Sequence, residues 1–558
     1  MNVVILHCHF ERGGVTQVVQ HHVRGLWRLD TPPGIALIAG GRQSGLSEDV
    51  RRRLDLGMIP DFDYDAEPGP AGSGSSAARR QNDARASAIA DRVERWVRGL
   101  GWGPDDTVLH WHNPGLGKNV AAPLAILRLA RRGWRLLLQV HDFAEDDRPE
   151  NYLRLIRGLA PQTPAELERL LYPNVPGVHY ACLTRADAGL LIGSGIAGGR
   201  VHHLPNAVDV GPSSGEGGGE DPEAIRERAI GRVRTAFGLP AGARWCLYPV
   251  RGIRRKNVGE FLLLCRWLPP QVFGGLTLRP ATPTEARSYD RWRSLAPAVA
   301  PRAIFDAGHH PEISYPSNLT ACDFVVSTSV AEGFGMALLE PWIAGRPVVS
   351  RHLPAVMDDL VDAGMRFEDV YSEIPIPGSE AWRERVAGEV SRQRTRVWAS
   401  VPPRFRPPMA DIGLGDGQGL DFGRLPPSRQ VEVLVRLAQD PGFERDCRTL
   451  SAPLVAMLER SGAGEVVDHN RRRIRQSFSL EIQARRLEAI YEAVLGDDSA
   501  GLGDDPAGLG DAAGGDPVGR GSLRDARTPP LIRRIGSVHP AFPCRWETFV
   551  DDVRHPLV

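Results

Sequence analysis

Two glutamates, Glu332 and Glu340, stand eight positions apart around a glycine-rich turn. The apolar run 323–327 before them predicts a buried strand, and the segment 336–344 predicts a helix that stops at Gly345. Backbone N–H groups between the two acids then lie at a helix N-terminus, which favours anions. A phosphate held there would have an acid on either side, which suits a nucleotide-sugar with one acid for the hexose and one for the ribose. The alternative is an ordinary strand–loop–helix unit with solvated acids.

Lysine is rare in this chain. Among the 68 basic residues only Lys118 and Lys256 are lysines, so each is a candidate for a role that the planar guanidinium of arginine cannot fill. Lys256 lies five positions after Arg251, in a basic loop between a predicted strand, 245–250, and a predicted helix, 258–267. The alternatives are that the two lysines survive by chance and that the loop is simply solvated.

The acid pair resembles the Glu-x7-Glu signature of the family 4 retaining glycosyltransferases, two-domain enzymes of the type called GT-B. This resemblance implies that Glu340 accepts hydrogen bonds from the ribose of the donor and Glu332 from its hexose. It also implies that Gly333, Phe334 and Gly335 form the donor-binding loop between them.

The basic loop resembles a second motif of the same family. The resemblance implies that Arg251 and Lys256 are catalytic, because they neutralise the donor diphosphate and steady the leaving nucleoside diphosphate. Asn257 follows the lysine where such families usually have glycine. Pro341 is a further departure, because a proline inside the predicted helix would remove a backbone hydrogen bond and kink it.

The first half of the chain is predicted to supply the opposite wall of a cleft. Gly13 and Gly14 separate a predicted strand, 3–7, from a predicted helix, 17–27, and do not form a dinucleotide-binding G-x-G-x-x-G motif. The resemblance implies that they admit the donor phosphate. His141 ends another predicted strand, and the resemblance makes it a catalytic partner of the reacting sugar. The alternative is a histidine that bonds only locally.

Lys118 lies at a loop–helix junction of the same half. We interpret it as an acceptor-binding residue for a carboxylate or phosphate on a small acidic acceptor. The histidine pairs 7/9 and 110/112 each share a strand face, but no cluster of acids or cysteines accompanies them. The sequence therefore predicts no metal site, and neither a metal nor another cofactor is expected because arginine and lysine supply the positive charge.

Composition narrows the class of protein. With 558 residues, 42% apolar and 24% charged, the chain has ample core for two or three domains. Its formal charge is zero, so nothing in the composition suggests a nucleic-acid surface, and we expect no nucleic-acid partner. No apolar run reaches 18 residues, and the start resembles a core strand rather than a signal peptide. We expect a cytoplasmic protein without a transmembrane segment, whose scattered cysteines are reduced core thiols.

Strand–helix alternation predicts an α/β fold, and the resemblance implies GT-B: two doubly wound Rossmann-like domains facing each other across a cleft. The predicted division is an N-terminal acceptor domain, 1–205, a nucleotide-sugar-binding domain, 206–478, with an extra segment at about 370–430, a helix crossing back, 479–495, and a mostly disordered tail, 496–558. The Gly-rich stretch 211–221 and the small, polar stretch 68–80 are interpreted as insertions.

These residues together predict a retaining, nucleotide-sugar-dependent glycosyltransferase with a small-molecule or glycan acceptor. The alternatives are a non-catalytic sugar-nucleotide-binding protein and another GT-B enzyme such as an epimerase or phosphorylase. The sequence leaves open the hexose, the base, the acceptor and the oligomeric state.

Overall fold

A computed structural model describes residues 1–65, 76–145, 149–210, 221–406, 419–460 and 464–497. The strands are β1 (Asn2–Leu6), β2 (Gly34–Ala39), β3 (Asp55–Met58), β4 (Thr107–His112), β5 (Arg135–Val140), β6 (Val178–Cys182), β7 (Val201–His203), β8 (Arg244–Arg251), β9 (Val272–Leu278), β10 (Ala303–Ile304), β11 (Phe324–Ser327), β12 (Val348–Arg351), β13 (Val370–Tyr371), β14 (Pro375–Ile376) and β15 (Leu420–Asp421).

The α-helices are α1 (Gly14–Leu26), α2 (Glu48–Arg53), α3 (Ser76–Gly99), α4 (Ala122–Arg131), α5 (Pro149–Leu159), α6 (Pro164–Leu171), α7 (Arg185–Gly193), α8 (Pro222–Phe237), α9 (Val258–Trp267), α10 (Pro283–Val299), α11 (Tyr315–Ala321), α12 (Glu340–Ile343), α13 (Pro354–Asp362), α14 (Glu380–Trp398), α15 (Pro427–Gln439), α16 (Pro441–Leu450), α17 (Ala452–Glu459), α18 (Gly464–Phe478) and α19 (Leu480–Leu495).

Two parallel sheets form the framework. The first has the strand order β3-β2-β1-β4-β5-β6-β7 and the second β10-β9-β8-β11-β12-β13. Both faces of each sheet are covered, so the central strands are almost continuously apolar, as in the buried run Val3–Leu6. The strand order reverses beside β1 and beside β8, which places a crevice at the carboxyl ends of those strands. The expected pair of doubly wound Rossmann-like domains is confirmed.

The last described helix, α19, returns to the N-terminal domain. It packs on α1, β4 and β5, and the hydroxyl of Tyr491 hydrogen-bonds Nδ1 of His110 over 2.8 Å. Gly25 permits this approach, because a Cβ there would lie 2.8 Å from the carbonyl oxygen of Leu480. The crossing helix expected from the sequence is therefore present.

The extra segment touches both domains. Its hairpin, β14 and β15, and the first half of α14 pack into the core of the C-terminal domain through side chains such as Val386. In the middle of the segment, Trp398 at the end of α14 and Phe405 in the turn after it are buried in the core of the N-terminal domain. The segment thus straps the two domains together.

Several expectations concern residues outside the described ranges: the insertion at 211–220, residues 68–75 of the small, polar stretch, and the tail beyond residue 497. Residues 76–80 begin helix α3. Within the described ranges no helix is long and apolar enough to cross a membrane. The six described cysteines are buried free thiols.

Candidate functional site

Two adjoining cavities lie at the carboxyl ends of the strands, between the two domains. The inner cavity, about 400 Å³, is bordered by His141 and Asp142 from one domain and by Lys256 and Glu332 from the other. The outer cavity, about 730 Å³, extends past Tyr315 toward β9. Residues that border both cavities are Gly14, Gln17, Pro249, Arg251 and Glu340.

Lys256 and Glu332 form an ion pair on the wall of the inner cavity. The Nζ of Lys256 donates a hydrogen bond to Oε1 of Glu332, and the two side chains are only 10% and 7% exposed. Burial lowers the pKa of Lys256, an effect that Glu332 opposes. Burial alone would raise the pKa of Glu332, but Lys256 and Arg255 outweigh it and hold that pKa below its ordinary value. The pair is therefore ionised, and the exposed side chain of Arg251 adds a further positive charge at the junction of the cavities.

The loop that carries Lys256 depends on Asn257. Asn257 has φ 51° and ψ 59°, the left-handed conformation that glycine adopts most easily and asparagine tolerates. This explains how asparagine stands where the family resemblance expects glycine. The backbone oxygen of Lys256 accepts hydrogen bonds of 2.9 Å from the hydroxyls of Tyr248 and Thr328, which hold the loop against the sheet.

A buried ionic cluster lies behind this loop. Arg351 binds Glu260 through Nε and Nη2 over 2.9 and 2.8 Å, and Asp421 through Nη1 and Nη2 over 2.8 and 2.9 Å. Glu260 in turn accepts a hydrogen bond of 2.7 Å from the amide of Asn257. Gln430 donates to Asn257 Oδ1 over 2.8 Å. Because Asp421 and Gln430 flank the end of the extra segment, that segment supports the lysine loop from behind.

The glutamate loop differs from the expected helix. A 3-10 turn, Met336–Leu338, is followed by the four-residue helix α12, so Glu340 begins a helix rather than lying a turn and a half inside one. The prediction of a continuous helix from 336 to 344 is wrong. Pro341 has no N–H to donate to the carbonyl of Ala337, and the chain forms a 3-10 turn up to Leu338 before a new helix begins at Glu340. Pro341 occupies the first turn of α12, where its missing N–H has no helical partner to lose. Pro341 therefore lies at the start of a helix and does not kink one.

Close packing explains the two glycines of this loop. A Cβ at Gly333 would lie 3.1 Å from the carbonyl oxygen of His141, so the loop approaches the opposite domain closely at this point. Gly335 provides the left-handed turn. The ring of Phe334 is buried and packs at 6.1 Å from that of Phe478, although the residue also borders the inner cavity.

Glu340 lies between the two cavities. Its Oε2 accepts a hydrogen bond of 2.5 Å from the hydroxyl of Tyr315, and Gln17 of the N-terminal domain is a second partner. Burial raises the pKa of Glu340, which these two hydrogen bonds oppose. The carboxylate thus faces a space large enough for a nucleoside, beside an aromatic ring.

His141 lies where β5 ends. Its backbone N–H donates to Oδ1 of Asn113 over 2.8 Å, and its Nε2 shares a hydrogen bond of 2.8 Å with Nδ1 of His112. Burial lowers the pKa of His141 to about 4, so the ring is neutral at pH 7. Beside it, Asp142 faces Arg255 of the other domain over 3.7 Å, an ion pair that spans the cleft.

Gly13 and Gly14 border the outer cavity, with Gly13 as the N-cap of α1. Lys118 borders neither cavity: its Nζ lies 5.6 Å from the centre of the Tyr64 ring, and its carbonyl accepts a hydrogen bond from the N–H of Asp65. It shares the sheet edge of His141, because the loop that carries it follows β4. Its acceptor role stays a prediction, and it would require an acceptor that reaches beyond both cavities.

Among the residues that border the cavities, sequence reasoning missed Gln17, Arg255 and Tyr315. Gln17 follows the Gly13–Gly14 turn and Arg255 precedes Lys256, so their closeness to these motifs is a signal in the sequence that could have identified them. Tyr315 had no local signal, because only the fold brings α11 beside Glu340.

No family model matches the chain. The curated mannosylglucosyl-3-phosphoglycerate synthase of Petrotoga mobilis is 26% identical over 361 residues, which cover 64% of this chain and 66% of that protein. The chain therefore spans just under two thirds of that relative's length.

Two solved structures superpose on the chain with a TM-score of 0.50. A glycosyltransferase from Rickettsia africae is 12% identical and matches 89% of this chain and 99% of its own. Anabaena HepE in complex with UDP is 11% identical and matches 88% of this chain and 100% of its own. The chain has the GT-B fold. Sequence identities this low support a shared fold and nothing further.

Proposed function

We propose that the chain is a retaining glycosyltransferase that moves a hexose from a nucleotide-sugar to a small acidic acceptor. The observation that carries the proposal is the pair of adjoining cavities, with Lys256 and Glu332 in the inner one, Glu340 at the border and Arg251 between them. This order of charges follows a nucleotide-sugar from its hexose through its diphosphate to its ribose.

The donor is assigned to the two cavities by chemistry. In the inner cavity, Glu332 accepts hydrogen bonds from hexose hydroxyls and Lys256 contacts the diphosphate together with Arg251. In the outer cavity, Glu340 accepts hydrogen bonds from the ribose diol. UDP in the HepE structure is in keeping with a nucleotide site on this fold. Charge-assisted hydrogen bonds of this kind are stronger than hydrogen bonds between neutral groups.

The reaction we propose proceeds on one face of the sugar. The bond between the anomeric carbon and the diphosphate oxygen breaks while an acceptor hydroxyl forms the new bond from the same side. The acceptor's proton passes to the departing phosphate oxygen, so no covalent intermediate with the protein is needed. Arg251 and Lys256 stabilise the negative charge that grows on the leaving diphosphate. His141 is neutral and hydrogen-bonds the hexose.

The acceptor class rests on the relative's name, which is that of a synthase of a phosphoglycerate glycoside. We propose an acceptor that carries a phosphate and a carboxylate, such as a phosphoglycerate or its glycoside. Positive charge is available near the inner cavity on Arg255 and farther along the sheet edge on Lys118.

The test is incubation with labelled UDP-, GDP- and ADP-hexoses, with and without phosphoglycerate acceptors. We expect transfer that depends on an anionic acceptor, slow donor hydrolysis without one, and a product whose anomeric configuration by NMR equals that of the donor. Nucleotide binding without transfer or hydrolysis would instead indicate a sugar-nucleotide-binding protein. An inverted product would refute the retaining assignment.

Two variants distinguish the role of Glu340 from that of Glu332. Glu340→Gln should weaken binding of the free nucleoside diphosphate by roughly 1–3 kcal/mol, the value of a charged hydrogen bond. Glu332→Gln should spare nucleotide binding and reduce transfer. Calorimetry that finds equal losses in both variants would contradict this division of roles.

A further inference from the structure

Three histidines meet in the core of the N-terminal domain, behind His141. His22 comes from α1, and His110 and His112 come from one face of β4. All three are fully buried, and one ring nitrogen from each lies within 4.8 Å of the other two. The sequence revealed only the pair on β4, because His22 is 88 positions away and only the packing of α1 on the sheet brings it there.

Ring nitrogens in this cluster lack partners. Among the described residues, neither Nδ1 nor Nε2 of His22 has a hydrogen-bond partner, and the same holds for Nε2 of His112. A buried polar atom left unsatisfied destabilises the folded state, and such atoms are rare in native cores. Their concentration at one point indicates that something other than protein atoms satisfies them.

The distances suit a shared transition-metal ion. Ring centres lie 5.4 Å apart for His22 and His110, 5.5 Å for His22 and His112, and 4.5 Å for His110 and His112. Imidazoles bound to one tetrahedral ion at about 2.0–2.1 Å would place their ring centres roughly 5 Å apart.

The surroundings also resemble the second sphere of a metal site. Ligating histidines usually hold their other ring nitrogen in a hydrogen bond. His112 does so through Nδ1 to His141, over 2.8 Å, and His110 has Tyr491 and Gln139 at 2.8 and 2.9 Å on its two nitrogens. One of these two hydrogen bonds must break before His110 can bind the ion.

We propose that His22, His110 and His112 bind one transition-metal ion of the Zn²⁺ class, as a staple between α1 and the sheet. An all-imidazole set favours Zn²⁺, Co²⁺, Ni²⁺ or Cu²⁺ over Mg²⁺ and Ca²⁺, which prefer oxygen ligands. The site is separate from the substrate cavities. It therefore revises the sequence-based expectation of no metal without giving the ion a part in the transfer.

The ion would influence the inner cavity indirectly, because it would fix the tautomers of His112 and His141. With Nε2 of His112 on the metal, its proton lies on Nδ1 and is donated to Nε2 of His141. His141 then keeps its own proton on Nδ1. The bound ion would thus select a single tautomer of His141, which borders the inner cavity.

Zinc content by mass spectrometry is the first measurement, on protein purified without chelator from zinc-supplemented cells. We expect about one equivalent per chain, and after removal of zinc we expect Co²⁺ to give the intense visible absorption of a tetrahedral site while Mg²⁺ has no effect. His309→Ala, an exposed histidine of the other domain, should keep the zinc. Wild-type protein with neither zinc nor a cobalt spectrum would overturn the proposal.

The cluster either binds an ion or is empty, and these two explanations predict opposite results for His22→Leu. If no ion binds, replacing an unpartnered buried ring by an apolar side chain should leave Tm unchanged or raise it. If the ion binds, the variant should lose at least 10-fold in zinc affinity and lose the Zn²⁺-dependent rise in Tm that wild-type protein shows. His112→Gln is the second variant, and zinc that stays at one equivalent in both would overturn the site. In crystals, an anomalous peak at the zinc edge would support the ion, whereas water alone would exclude it.

Discussion

The ion pair of Lys256 and Glu332 allows stability and catalysis to be separated. Lys256→Met removes the partner of a carboxylate that is 7% exposed. Removing one member of a buried pair typically destabilises a protein by 3–5 kcal/mol, because the other charge stays in the interior. Because Glu332 is buried, replacing Lys256 should affect stability as well as catalysis.

Protonation of the Glu332 carboxyl group limits the loss of stability in Lys256→Met. After Lys256 is replaced, Glu332 keeps the weaker influence of Arg255 and can lose its charge by taking up a proton, and its ordinary pKa is 4.5. At pH 7 this uptake costs about 3.4 kcal/mol, at about 1.4 kcal/mol for each pH unit above that pKa. At pH 5 it costs only about 0.7 kcal/mol. The destabilisation of Lys256→Met should therefore shrink by almost 3 kcal/mol between pH 7 and pH 5.

Wild-type protein should behave in the opposite sense. Its Glu332 pKa is lowered, so this group's contribution to stability is present above the ordinary pKa and is lost as the pH falls through the lowered value. The double variant Lys256→Met/Glu332→Gln should recover most of the stability at pH 7 and show neither dependence. It should still lose at least about 100-fold in turnover, the scale of removing one partner of transition-state charge.

The assay is chemical unfolding at pH 5 and pH 7, with initial rates of transfer measured on the same preparations. Arg279→Met is the matched control, because Arg279 pairs with Asp290 on the surface at side-chain exposures of 41% and 45%. That variant should lose no more than about 1 kcal/mol at either pH. An equal loss at both pH values for Lys256→Met would refute the buried, ionised pair. Near-normal turnover in the stable double variant would refute the catalytic role.

Three further predictions concern the walls of the cavities. Asn257→Ala should be about 1–2 kcal/mol less stable than Asn257→Gly by urea unfolding, because both lose the side-chain contacts but only alanine is strained in the left-handed conformation. Tyr315→Phe frees Glu340 from a competing donor and should tighten nucleoside diphosphate binding up to about 10-fold by calorimetry, and weaker binding would show that the hydroxyl contacts the ligand. Gly333→Ala places a Cβ 3.1 Å from the carbonyl of His141 and should lower kcat more than it changes nucleotide affinity, so unchanged kcat would count against close approach in the working state.

Local pattern was sufficient for the architecture. Apolar runs of strand length alternate with helical segments, and glycine or proline marks their ends, so the two doubly wound domains followed from the sequence. The helix 258–267 was predicted with the observed bounds. The same patterning placed Arg251 and Lys256 at the end of one strand and Glu332 beyond another. Because parallel strands end at a common edge, these residues had to meet.

What the sequence could not decide depends on contacts between distant segments. The segment after Glu332 divides into a 3-10 turn and the four-residue helix α12, with Leu338 and Leu339 at the division buried in the core of the C-terminal domain. Helix propensity carries no information about that burial. The extra segment gave no recognisable pattern, yet Asp421 at its end completes the charge cluster behind Asn257. Likewise His22 lies far along the chain from β4. Its convergence with two other histidines follows only from how α1 packs on the first sheet, because short-range periodicity specifies which face a side chain occupies and not which distant side chains share the space beneath it.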